Sequence, residues 1–369
     1  KSVLYTSVLQ TPILLLGSLI ILVLGFKELG GWDEMMRVCG AVTVNDYGDT
    51  MTNLIRSNDD ANFPWLGALI GSAIIGFWYW CTDQFIVQRV LSGKNEMEAR
   101  RGTIFGAYLK LLPVFLFLIP GMIAFALHQK YIGAGGEGFL PMLANGTANA
   151  DAAFPTLVAK LLPAGVKGLV VCGILAALMS SLASLFNSSA MLFTIDFYKR
   201  FRPETPEKKL VGIGQVATVV IVILGILWIP IMRSVGDVLY TYLQDVQSVL
   251  APGIAAAFLL GICWKRTSAQ GGMWGLIAGM VIGLTRLGAK VYYSNAGEVA
   301  DSTFKYLFYD MNWLFFCGWM FLFCIIVVIV VSLATKAPTA EKIQGLVFGT
   351  ATKEQKAATR ASWNHWDII

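Results

Sequence analysis

The chain has 369 residues, of which 56% are apolar and 14% charged, with a formal net charge of +5. Soluble domains carry roughly a quarter charged residues, so these figures exclude a soluble globular enzyme, and they equally exclude a disordered chain, a collagen-like chain and a disulfide scaffold. What survives is an all-α polytopic membrane protein, with a charge too small to suggest a nucleic-acid partner.

A membrane-crossing helix needs about 20 mostly apolar residues. Eight stretches qualify. In chain order they are Val3–Phe26, Trp65–Leu91, Ile104–Leu127, Val166–Tyr198, Leu210–Ile231, Val238–Trp264, Gly271–Leu287 and Trp313–Ala334. The second is interrupted near Asp83, the third contains Pro113 and Pro120, and the sixth contains Pro252 and Gly253. Basic residues collect in alternate connections: Lys94, Arg100 and Arg101; Lys199, Arg200, Arg202, Lys208 and Lys209; Lys265 and Arg266; then Lys336, Lys342, Lys353, Lys356 and Arg360. Threading eight helices puts all four on one side, which predicts that Lys1 and Ile369 are both cytoplasmic. The outer connection 27–63 holds three basic residues against seven acidic ones.

Between spans, Ala152–Leu162 has an amphipathic pattern expected to lie on the surface, while Gly133–Gly138 and Asn145–Asn149 read as flexible connection. Gly271, Gly275, Gly279 and Gly283 repeat every four residues, a stripe that lets another helix approach closely.

Few soluble-enzyme motifs are present, and those that match sit in the wrong surroundings. The six cysteines form no CxxC pair, and His128 and His365 are too few and too distant for a histidine metal centre. Gly133-Ala-Gly135-Gly-Glu-Gly138 matches a nucleotide-binding fingerprint but lacks the strand and βαβ unit that would give it meaning. No HExxH, GxSxG or Walker sequence occurs.

Polar groups at membrane depth are costly, so their positions carry information. Phe77-Trp78-Tyr79-Trp80-Cys81-Thr82-Asp83-Gln84 runs from aromatics into a polar break. It fits a broken helix offering free backbone groups, or an interfacial aromatic belt at a helix end. Lys110 either snorkels to the interface or points a donor into a polar cavity. Ala177, Ser180, Ser181 and Ser184 share a helix face, which suits tight packing or, through hydroxyl and carbonyl oxygens, a small hard cation. Tyr240, Gln244 and Gln247 share another face, suited to a polyhydroxylated ligand or to a frayed helix end. Aromatic faces with amide and ammonium donors together match a pyranose, which has an apolar ring face and a rim of hydroxyls. Asp83 and Asp245 show no obvious relay, which argues against proton coupling.

Trp78-Tyr79-Trp80-Cys81-Thr82-Asp83-Gln84-Phe85-Ile86-Val87-Gln88-Arg89 resembles the sodium/glucose cotransporters of the sodium–solute symporter family. So do Ala176–Ser188, Phe193-Thr-Ile-Asp196, Tyr242-Leu-Gln244 with Pro252, and Phe258–Arg266. The likeness runs over nearly the whole chain. It implies a partial five-plus-five inverted repeat, with residues 1–26 as the last helix of the first repeat and 27–63 as an extracellular loop. Residues 64–264 then make the second repeat, whose first helix is broken. Residues 265–335 supply two peripheral helices, and 336–369 a cytoplasmic segment. Against that pattern the chain is expected to lack the first repeat's earlier helices and a final helix.

The resemblance also implies roles. Sodium, the coupling ion, would lie against the carbonyl of Ala177 and the hydroxyls of Ser180 and Ser181. The sugar would meet Tyr79 as a stacking gate, with Trp80 beside it, Lys110 and Gln244 as donors, and Tyr240 as an outer-gate aromatic. Ala183 stands where two-sodium members tend to carry a hydroxyl, which points to one sodium per sugar. The implied activity is sodium-coupled import of glucose or galactose across the plasma membrane by a monomer that is not an enzyme. Myo-inositol or another polyol is the alternative substrate. A sugar-binding membrane sensor that does not transport is the alternative function.

Overall fold

The computed structural model describes residues 2–143, 146–235, 239–295 and 300–363. Lys1, Asn145, Val238, His365 and Ile369, all used above, lie outside them. Among the described residues the regular secondary structure is helical, joined by turns and loops that carry two isolated β-bridges, Thr43 with Thr50 and Met142 with Ala148.

In chain order the helices are α1 (Ser2–Leu29), α2 (Trp32–Gly40), α3 (Trp65–Cys81), α4 (Gln84–Leu91), α5 (Glu96–Leu109), α6 (Ile119–Gly133), α7 (Ala153–Leu161) and α8 (Ala164–Met191). Then come α9 (Lys199–Phe201), α10 (Glu207–Val235), α11 (Leu239–Cys263), α12 (Ala269–Asn295), α13 (Thr303–Lys305), α14 (Trp313–Ala334), α15 (Ala340–Ile343) and α16 (Lys353–Ala361). Seven helical runs among the described residues are long and apolar enough to cross a membrane, or eight if the bent pair α3–α4 counts as one span. That matches the eight stretches read from the sequence.

Several boundaries differ from expectation. The third span runs from Glu96 to Gly133, well outside Ile104–Leu127. Glu96 and Glu98 occupy the first turn of α5, where the helix dipole favours acids, so charge does not end the helix there. The interruption comes instead at 110–113, where Pro113 cannot donate a backbone hydrogen bond, and a π-helical turn (Val114–Leu118) follows. The seventh span continues past Leu287 to Asn295, because Arg286 and Lys290 find buried partners. The acidic connection 27–63 contains α2, whose Met35 and Cys39 are buried. The amphipathic segment 152–162 is not a surface helix on its apolar side, since α7 buries Leu157 and Val158.

The chain divides into two compact units, residues Lys1–Leu54 with Phe105–Ile231, and Ile55–Ile104 with Met232–Ile369. The first is built on α1, α2, α6, α7 and α8, around Ile21, Leu29, Ile123, Leu127, Leu157 and Val170. The second is built on α3, α11, α12 and α14. There Ile74 and Ile75 meet Ala251, Ala255, Leu314 and Cys317. The glycine stripe of α12 does the packing its spacing predicts. A Cβ on Gly279 would lie 2.9 Å from Gly253 Cα, and one on Gly283 would lie 2.8 Å from the Val249 carbonyl oxygen.

Candidate functional site

The candidate residues divide between the two units. The first carries Lys110, Ala177, Ser180 and Ser181, and the second carries Tyr79, Trp80, Tyr240 and Gln244.

In the first unit α8 is one uninterrupted helix, so Ala177, Ser180 and Ser181 lie on successive turns of one face. Hydroxyls at membrane depth usually donate back to the carbonyl four residues earlier. Ser184 does so to Ser180 (3.0 Å) and Ser188 to Ser184 (2.9 Å). The Ser181 hydroxyl is exposed and makes no such bond among the described residues. Its oxygen, and the lone pairs that donation leaves on Ser184, form an oxygen-rich stripe of the kind a hard cation uses. Lys110 is exposed at the break after α5, and its backbone N–H is shared between the Gly106 and Ala107 carbonyls, both at 3.1 Å. It therefore belongs to a helix interruption.

In the second unit the aromatic run ends α3. The Tyr79 and Trp80 rings meet edge to face, centroids 5.4 Å apart. Tyr79 is half-buried and Trp80 exposed. Thr82 then donates its hydroxyl to the Trp78 carbonyl (2.7 Å), closing the last turn. Asp83 caps α4 by accepting the Phe85 N–H at 2.9 Å. The two helices meet at a bend of 50°. Of the two readings of the polar break, this is the broken helix, with Asp83 serving as its cap. Tyr240 and Gln244 sit one turn apart at the start of α11, the tyrosine exposed and the glutamine half-buried. Both lie within the helix, whose described residues begin at Leu239.

One cluster was not read from the sequence. Asp245 is buried, and its carboxylate accepts from Lys290 Nζ at 2.5 Å and from the Arg286 guanidinium at 3.4 Å. Arg286 is completely buried and donates to the Met311 carbonyl oxygen at 2.8 Å. Its guanidinium carbon stands 4.0 Å from the centroid of the Phe316 ring. The signal was an acid on one span and two bases four residues apart on the next. Ending the seventh span at Leu287 left Lys290 outside it.

The model of the sodium:solute symporter family matches residues 1–279. The chain is 36% identical over 364 residues to the sodium/mannose cotransporter SLC5A10 of Bos taurus, an alignment covering 96% of this chain and 61% of that protein. It is 37% identical over 351 residues to sodium/glucose cotransporter 1 of Ovis aries, covering 91% and 53%. To sodium/myo-inositol cotransporter 2 of Homo sapiens it is 35% identical over 360 residues, covering 95% and 53%. The chain thus spans between about half and three fifths of the length of these relatives. With three quarters of its residues inside the family match and the broken aromatic span in place, the chain is a polytopic membrane protein that belongs to the sodium:solute symporter family.

Proposed function

We propose that the protein carrying this chain is a sodium-coupled symporter that imports a hexose, glucose or galactose, across the plasma membrane by alternating access, as a monomer and with no enzymatic step. The observation that carries the proposal is what its relatives share. Their names differ in the organic substrate, yet all contain sodium. In this reading the Ala177 carbonyl and the Ser180 and Ser181 hydroxyls hold the ion. Tyr79 and Trp80 offer ring faces to the sugar, Lys110 and Gln244 donate to its hydroxyls, and Tyr240 gates the outer side. Residues 64–264 form the second inverted repeat in the same reading, and 1–26 the end of the first.

Each positive charge moved inward gains about 2.3 kcal/mol per 100 mV of membrane potential. That energy reaches the sugar only if sodium binds one transporter state more tightly than the other. Labelled-glucose uptake by the full-length protein in vesicles tests the proposal. Uptake with a sodium gradient and none with potassium supports coupling, and equal uptake in both rejects it.

A polyol substrate is the second reading, favoured by the 35% identity to a myo-inositol cotransporter. Competition decides between them: inositol displacing glucose at lower concentration than galactose does would assign the polyol.

A further inference from the structure

The segment after α14 lies outside the candidate spans of the described residues, yet it is tied down by specific contacts. Val347 is buried, at 6% exposure, and the backbone N–H of Phe348 donates to the Ile262 carbonyl oxygen at 2.7 Å. Those two contacts pin the loop 343–350 to the end of α11. Thr350 closes it from inside. Its hydroxyl lies 2.8 Å from the Ile343 carbonyl oxygen and 2.6 Å from that of Val347, and its own carbonyl accepts the Gly345 N–H at 3.0 Å. A capping box between Thr352 and Gln355 then starts α16 without slack.

This rigid loop holds two large apolar side chains outward. Leu346 is 75% exposed and Phe348 is 81% exposed, one on each side of the buried Val347. A loop stabilised by that many backbone contacts could bury these groups on itself, and it does not. The same stretch carries Lys336, Lys342, Lys353, Lys356 and Arg360, all exposed and none in an ion pair among the described residues. Only Glu341 and Glu354 oppose them, leaving the stretch 336–363 at net +3. Trp363, also exposed, ends it.

The loop sits at the end of α11 that leads into the Lys265–Arg266 connection. There Arg266 donates its guanidinium hydrogens to the Ser332, Leu333 and Thr335 carbonyls at the end of α14. Exposed apolar side chains on a basic stretch pinned to a helix end fit a bilayer interface, where rings enter the acyl boundary and ammonium groups meet anionic headgroups. A second copy of the chain would bring the same cations face to face.

We propose that residues 336–363 form a peripheral anchor that docks on an anionic lipid surface, with Leu346 and Phe348 inserted and Lys353, Lys356 and Arg360 on the headgroups. Hydrogen exchange of the full-length protein in nanodiscs tests it. One lipid is phosphatidylcholine alone and the other is phosphatidylcholine mixed with phosphatidylserine. Exchange over residues 340–363 is expected to slow several-fold in the anionic bilayer and to recover in high salt. Leu346→Ser with Phe348→Ser should abolish that slowing. Lys353→Gln with Lys356→Gln and Arg360→Gln should abolish it independently, and these three exposed changes leave the loop's internal bonds intact. Equal exchange in the two bilayers overturns the anchor. So does a difference that survives both sets of substitutions, which would place the lipid contact on other residues.

Discussion

Lys290 reaches across from α12 to place its ammonium nitrogen 2.5 Å from the carboxylate of Asp245 on α11, one residue beyond the candidate sugar donor Gln244. Arg286, a turn earlier on α12, approaches the same carboxylate. One acid therefore answers two bases in a buried setting, and it fixes two spans to each other. The partners are unequal. Arg286 is fully buried, whereas the Lys290 side chain retains 27% exposure.

That inequality predicts a ranking. Asp245→Asn leaves a buried guanidinium uncompensated, and breaking such a pair costs about 3 kcal/mol. Lys290→Met leaves Asp245 its arginine and removes a cation that can still reach water, so its cost is smaller. Thermal unfolding midpoints in detergent check the order. A Lys290→Met variant less stable than Asp245→Asn would show that arginine does not hold the carboxylate.

Gln244 offers a narrower test. It shares α11 with Asp245 but makes none of these ionic contacts, so Gln244→Ala should spare stability. Losing one well-placed hydrogen bond to a neutral hydroxyl is worth about 1 kcal/mol, or roughly five- to tenfold in affinity. Sugar half-saturation in uptake should rise by that factor while the unfolding midpoint stays put. An unchanged half-saturation removes Gln244 from the sugar site.

On α8 the argument turns on which hydroxyls are already engaged. Ser184 and Ser188 donate to backbone carbonyls, and among the described residues Ser181 does not. Bonds to charged groups are worth about 1.5–3 kcal/mol, so Ser181→Ala should raise the sodium concentration for half-maximal uptake by about tenfold or more. Ser188→Ala, a control lower on the same helix, should leave sodium dependence alone. Sodium titration of uptake reads both, and equal effects would reject an ion site at Ser181.

Much of this was legible from local pattern. Apolar runs located the long apolar helices of the described residues, and the Thr82–Asp83–Gln84 break left a broken helix and a helix end both open, a choice that Asp83 capping α4 decides. The spacing of Ala177, Ser180 and Ser181 puts them on one face, and the unbroken helix α8 keeps them there. What escaped was long-range. The seventh span reads only to Leu287 in the sequence, and nothing within α12 reveals that Asp245, 41 residues before Arg286, receives both bases. Helix α2 escaped because its nine residues are too few and too charged to show a period, although Met35 and Cys39 become core once α6 covers them. Helix α7 looked superficial for the same reason, since amphipathicity shows an apolar face without showing what lies against it.

The glycine stripe of α12 separates packing from propensity. Gly279 faces Gly253 so closely that an added Cβ would sit 2.9 Å from the partner's Cα and 3.3 Å from the Cys324 sulfur. Backbone cannot yield as a side chain can, so Gly279→Val must push α12 away from both α11 and α14. Overpacking of this kind costs about 1–3 kcal/mol. Gly272, on the same helix, has nothing within 4 Å of its would-be Cβ. There Gly272→Ala removes backbone freedom without a clash and should raise stability by up to about 1 kcal/mol. Unfolding midpoints that move in opposite directions support close approach as the reason for the stripe. A Gly279→Val variant as stable as the parent would mean that α12 has room to shift, and that the Asp245 contacts with Arg286 and Lys290 hold these helices without help from the glycines.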